Sequence, residues 1–353
     1  MNELTVRRTA AATLPAVDLS TSIAGVMFPN PIFTASGCAA AGQELDQFFD
    51  VSTIGGVVTK SIMLAARSGR ATPRMAETPS GMLNSIGLQG PGVDAFLQRD
   101  LPWLAARGAR AVVSIAAGSV DDYAKLAAAL RGQPGLVMVE VNISCPNVED
   151  RGQVFACDPA AAGAVVQAVR RNVDREIPVL AKLSPDVTDI ALIAKSCVDA
   201  GADGLSLINT LLGMAIDTET MRPVLGGLTG GLSGPAIRPV AVRCVWQVHQ
   251  ALPDVPILGM GGIRSGLDAL EFLLAGASAV SVGTTVFGDP TAPVRILHEL
   301  AHALAARGIE RVSDVVGLAH RRAVPVVPQD VDPAGGIGGT AVRSPVDFEE
   351  ERT

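Results

Sequence analysis

Eight short apolar, β-branched runs separated by longer Ala/Leu-rich stretches constrain this chain more than any other feature. The runs fall at 31–35, 56–59, 111–115, 137–143, 178–182, 204–208, 256–259 and 279–282. Helical stretches fall at 121–131, 159–173, 188–200, 235–252, 266–275 and 291–306. Strands without polar alternation suit a sheet covered on both faces, and helical crossovers between them make it parallel. Eight such units close most simply into a (β/α)8 barrel, a TIM barrel; a doubly wound open sheet is the alternative.

The same pattern sets the domain boundaries. Residues 1–16 form an N-terminal extension, 17–316 the barrel, and 317–353 a Pro- and Gly-rich tail expected to be mobile and to stand outside it. Residues 17–30 are expected to form a hairpin that plugs the barrel bottom. Two segments, 61–110 and the glycine-rich 209–234, are too long for ordinary loops.

Composition narrows the function. With 48% hydrophobic and 18% charged residues the chain has ample core, and a net charge of −7 without a basic stripe speaks against nucleic acid. Five cysteines without CxxC spacing point to a reducing compartment and to no cysteine-bound zinc or iron–sulfur cluster. No apolar run is long enough for a membrane helix and no secretory signal is evident, so a cytoplasmic protein is expected.

Barrel enzymes place their chemistry where strands end. Here the ends carry Thr59-Lys60-Ser61, the cluster Asn142, Cys145 and Asn147, then Lys182, Asn209-Thr210, Gly261-Gly262 and Gly283-Thr284. Asparagines offer both donor and acceptor to a flat polar ring, and a thiol between them can move a proton. Glycine turns after the last two strands suit a phosphate, because backbone N–H groups can approach it closely. With two lysines on the same rim they favour flavin mononucleotide (FMN), and a side chain at Gly262 is expected to enter its space. No dinucleotide fingerprint follows a strand, so NAD binding by this chain is not expected.

The run Asn142-Ile143-Ser144-Cys145-Pro146-Asn147 resembles the active-site segment of class 1 dihydroorotate dehydrogenases. Further matches are Thr59-Lys60-Ser61, the run from Glu77 to Gln89, Ala181-Lys182-Leu183-Ser184-Pro185, Ile208-Asn209-Thr210 and Gly230 to Pro235; they look most like the class 1B catalytic subunit. The resemblance implies FMN-dependent oxidation of (S)-dihydroorotate to orotate in pyrimidine synthesis. Cys145 would be the general base at C5, with hydride passing from C6 to the flavin. Lys60, Asn84, Asn142, Asn147, Asn209 and Thr210 would hold the pyrimidine, with backbone from Ser85, Ile86, Gly87 and Leu88. Ser36, Lys60, Ser61, Asn142, Lys182, Ile208, Gly234, Gly261, Gly262, Gly283 and Thr284 would hold FMN. It also implies a homodimer that associates with an FAD/iron–sulfur electron-transfer subunit. The acceptor is left open among NAD through that partner, fumarate, and a quinone. The alternatives are a flavin barrel acting on another pyrimidine or enone, and a non-catalytic barrel subunit.

The chain departs from the family pattern at Gly90, at Ser114, and at Phe155-Ala156-Cys157, which places Cys157 beside the site. His298 and His302, four apart on the last helix, lack a third ligand, so no metal is expected. Asp121, Asp122 and Asp189 read as helix-start residues. Cys38, Cys197 and Cys244 read as core.

Overall fold

The computed structural model describes residues 16–143 and 155–321; Cys145, Asn147 and the tail after Arg321 lie outside the described residues. Eight parallel strands form one sheet: β1 (Ile32–Thr34), β2 (Val57–Val58), β3 (Ala111–Ile115), β4 (Leu136–Asn142), β5 (Val179–Leu183), β6 (Gly204–Leu207), β7 (Ile257–Met260) and β8 (Ala279–Val282). Each pairs with its neighbour in chain order, and β8 pairs with β1 through Val280↔Ile32. A parallel bridge, Phe33↔Gly56, joins β1 to β2 and completes the ring. The TIM barrel expected from the alternation is therefore the fold, and the open-sheet alternative is excluded.

The barrel interior is a stack of inward side chains. Phe33, Val58, Val112, Met138, Leu180, Leu258 and Ala279 form one apolar cluster with Ile23 and Phe28 from a hairpin, Thr21–Ile23 and Val26–Phe28. Phe28 meets Phe33 edge-on at 4.9 Å, worth about 0.5–1.5 kcal/mol beyond the buried area. Thr21 Oγ1 donates to Ser278 O at 2.7 Å, fixing the hairpin to the end of the barrel where β8 begins. The predicted plug is present.

Among the described residues, seven helices of six residues or more pack outside: α1 (Leu101–Ala106), α2 (Val120–Leu130), α3 (Pro159–Asn172), α4 (Ile190–Asp199), α5 (Arg238–Ala251), α6 (Gly266–Leu274) and α7 (Ala292–Ala305). After β1 there is only a 3-10 turn, Leu45–Gln47. Asp189 caps α4, accepting from Ala191 N at 3.0 Å and Leu192 N at 3.2 Å. Asp121 and Asp122 lie in the first turn of α2, whose cap is Ser119. Both positions match the expectation for carboxylates at the positive end of a helix.

The two over-long segments meet. Met75–Thr78 and Gly81–Asn84 from the first pair with Gly230–Ser233 and Leu211–Gly213 from the second in one antiparallel sheet. Its register sets Asn84 opposite Gly231, and Asn84 Nδ2 donates to Gly231 O at 3.2 Å. The described chain also continues past residue 316: Leu318–His320 forms a turn whose His320 ring stacks on Trp246 at 3.6 Å.

Candidate active site

A cavity of about 330 Å³ lies at the C-terminal ends of the strands, edged by the antiparallel sheet. The barrel ends supply Ser36, Lys60, Ser61, Asn142, Lys182, Ile208, Asn209 and Thr210, and the added sheet and its flanks supply Asn84, Ile86, Gly87 and Leu88. Gly234, Gly261, Gly262, Gly283 and Thr284 also line it, while the predicted Cys145 and Asn147 lie outside the described residues. Ser85 does not line the cavity. Its N–H is taken by Arg74 O at 2.7 Å, and its hydroxyl accepts from Arg70 at 3.3 Å.

Along one wall the polar groups are linked. Asn142 Nδ2 donates to Ser61 Oγ at 3.1 Å, Ser61 Oγ lies 2.9 Å from Ser114 Oγ, and Asn209 Nδ2 donates to Asn142 Oδ1 at 3.4 Å. Ser114, noted as a departure, is fully buried and braces Ser61 from behind. Tyr123 of α2 donates its hydroxyl to Asn142 O at 2.8 Å, fixing the backbone at the end of β4. The Tyr123 ring meets Phe155 edge-on, and Ala156 N donates to Ile143 O at 3.1 Å. The Phe-Ala-Cys departure therefore anchors chain to the foot of the site, while Cys157 itself lines a separate shallow depression with Asp186 and Leu192.

Two lysines supply the charge. Lys182, only 4% exposed, donates to Ser36 Oγ at 2.9 Å. Cys38, read from sequence as core, is partly exposed and lines the cavity. Burial pushes its thiol up to about 11 against the opposing pull of Lys182 and Lys60, so at neutral pH it is a neutral wall.

The glycine turns follow β7 and β8 as expected, but for two different reasons. Gly262 has φ +79°, and a Cβ there would meet Gly234 O at 2.8 Å and Arg238 Cβ at 2.9 Å. Its neighbours in the protein forbid a side chain, so the expectation that a side chain at Gly262 acts by entering cofactor space is corrected. Gly283 has no positive φ, and a Cβ there would meet Ala35 Cβ at 3.3 Å and Cys38 Sγ at 3.5 Å, both in the cavity wall. Thr284 Oγ1 donates to Ser233 Oγ at 2.8 Å beside it. Sequence reasoning missed Met75, Met82, Ser233 and Phe287, which line the same space. The two methionines sit on a short hairpin whose alternation was hidden among turn residues.

The arrangement fits a flat heterocycle bearing a phosphate: glycine turns at one end, a buried lysine and serine together, and asparagine amides beyond. Comparison with known proteins decides the family. The model for dihydroorotate dehydrogenase matches residues 18–304. The chain belongs to the dihydroorotate dehydrogenase family. Among its relatives, the protein of Pelobacter propionicus is 51% identical over 300 residues, 85% of this chain and 98% of its own length. Those of Geobacter sp. strain M21 and Desulforudis audaxviator are each 50% identical, over 300 and 305 residues, covering 97% and 98% of their lengths. All three are named dihydroorotate dehydrogenase B (NAD(+)), catalytic subunit. A dihydroorotate dehydrogenase barrel of this type is an FMN enzyme, and the glycine turns and Lys182–Ser36 pair suit that cofactor.

Proposed function

We propose that this chain oxidises (S)-dihydroorotate to orotate for pyrimidine synthesis, with FMN as cofactor and Cys145 as the base. The observation that carries the reading is the convergence of Lys60, Asn84, Asn142, Asn209 and Lys182 on one cavity whose far end is closed by glycine turns. Bound FMN supplies a two-electron acceptor. Ser36, Ser61, Lys182 and Ile208, with the turns at Gly234, Gly261, Gly262, Gly283 and Thr284, hold it. Asn84, Asn142, Asn147, Asn209 and Thr210 orient the pyrimidine together with Lys60 and the backbone at Ile86, Gly87 and Leu88. That fixes the ring so that its C5 proton can pass to Cys145 as the base. Cys145 takes that proton, and the linked amides of Asn142 and Asn209 keep the ring from turning.

No helix among the described residues is long and apolar enough to cross a membrane, which suits a cytoplasmic enzyme rather than one reaching membrane quinones. The relatives' printed name favours NAD as final acceptor. A separate FAD/iron–sulfur subunit would then carry the electrons to NAD, with this chain as a homodimer beside it. Anaerobic mixing of the FMN-loaded protein with dihydroorotate tests the chemistry: rapid bleaching of the flavin is expected. Cys145→Ala should slow it by orders of magnitude with FMN still bound, and Cys145→Ser should recover activity toward high pH. Wild-type bleaching in Cys145→Ala would remove the base assignment, and efficient NAD reduction by the isolated chain would remove the partner.

A further inference from the structure

At the floor of the cavity the barrel interior is polar, where apolar branched side chains usually fill a barrel. Met138, Leu180 and Ala279 face inward, so Glu140, Lys182 and Ser281, two residues further along each strand, face inward one layer higher. Ser206 joins them, paired in register with Lys182. Glu140 is fully buried, and neither of its carboxylate oxygens has a hydrogen-bond partner among the described residues. The Lys182 ammonium lies 3.7 Å from its Oε1. Burying a carboxylate without hydrogen bonds is costly unless a cation faces it, and the same attraction holds the cation in place.

We infer that Glu140 is a positioning residue: it fixes the Lys182 ammonium from below, aims it at Ser36 and the cavity, and offsets its charge where the flavin ring binds. The inference rests on the cavity being the FMN site. Lys182 thus contacts two groups with separate tasks. Ser36 orients the ammonium toward the cavity edge, while Glu140 sets how much positive charge the cavity receives.

The test uses the FMN-loaded chain and two readouts independent of turnover: the flavin midpoint potential and the affinity of oxidised flavin for sulfite, both of which rise with positive charge near the ring. Glu140→Gln keeps the shape and removes the offset. It should raise the potential and tighten sulfite binding by roughly tenfold or more, the scale of a nearby unit charge at an effective dielectric of about 20. Glu140→Asp should return most of the shift. In a Lys182→Gln background there is no ammonium left for Glu140 to hold or offset, so adding Glu140→Gln should change far less than it does in wild type. An unaltered potential and sulfite affinity in Glu140→Gln, or the same shift in the Lys182→Gln background, would overturn the inference while leaving the FMN site standing. If Glu140→Gln does not fold, redox difference infrared spectra of the wild-type protein decide: an ionised carboxylate band supports the pair, and a protonated carboxyl band overturns it. Wild-type protein that takes up no FMN would overturn the site reading, and this inference with it.

Discussion

The two glycine turns give a paired prediction, because the structure assigns them different reasons for being glycine. At Gly262 an alanine must adopt φ +79° and place its Cβ 2.8 Å from a backbone oxygen. The left-handed conformation costs about 1–2 kcal/mol and the overlap about 1–3 kcal/mol, so apoprotein stability should fall by roughly 2–5 kcal/mol. At Gly283 φ is negative, −113°, and the nearest contacts are 3.3 and 3.5 Å. Of the two changes, Gly283→Ala should therefore be the milder for apoprotein stability. Its methyl, however, occupies the wall between Ala35 and Cys38, so FMN affinity should drop roughly tenfold or more, equivalent to ~1.4 kcal/mol. Urea unfolding without FMN gives the first quantity, free of stabilisation by the bound cofactor. The quenching of FMN fluorescence on binding gives the second. Gly283→Ala protein with undiminished affinity would refute the placement of the phosphate, and Gly262→Ala apoprotein as stable as wild type would refute the packing argument.

Tyr123→Phe leaves the ring packed but takes the donor from Asn142 O, and should cost about 1–3 kcal/mol in urea unfolding. Burial, and secondarily the charge of His320, lowers the pKa of His249, so its stabilising share is complete above the unfolded value of about 6.5 and is lost as pH falls through the folded pKa. His249→Phe should flatten that acid-side decline in melting temperature; a decline as steep as wild type's would exclude His249 as its source. Burial opposes ionisation of Asp289, but hydrogen bonds from Thr291 and Arg295 outweigh it and hold its carboxyl below the usual range. The stability difference between wild type and Asp289→Asn should be full above about pH 4 and shrink as pH falls through the folded pKa, read from unfolding across that range. Cys38, pushed up to about 11, should resist alkylation at pH 7 even in FMN-free protein, as mass spectrometry of tryptic peptides would show.

The barrel was legible because each strand is an apolar run buried on both faces and most crossovers have helical spacing. The rim residues were legible because strand ends locate them: once β5 is placed, Lys182 can only emerge at the cavity edge. The antiparallel sheet was not legible. Its strands are three or four residues long, rich in glycine, and come from segments far apart, so neither periodicity nor turn chemistry announces that Asn84 faces Gly231. Glu140 was hidden for the opposite reason. Inside a β-branched strand it reads as one polar interruption, and only the closed ring shows that it faces Lys182. Gly262 and Gly283 look alike in sequence and both line the cavity; only the atoms around each show which one has room for a side chain.

The pairing of Asn84 with Gly231 has a consequence for how the molecule comes to be built. The two residues stand 147 positions apart, and joining such distant points on a free chain costs about 4 kcal/mol of closure entropy before any contact repays it. Short strands cannot meet that cost alone. The barrel lowers it by bringing the ends of β2 and β6 to one rim, so the segments that carry Met82, Asn84 and Thr210 can meet only across an already closed ring. The substrate side of the cavity therefore assembles last, and hydrogen exchange should find its sheet opening well before the strands beneath it.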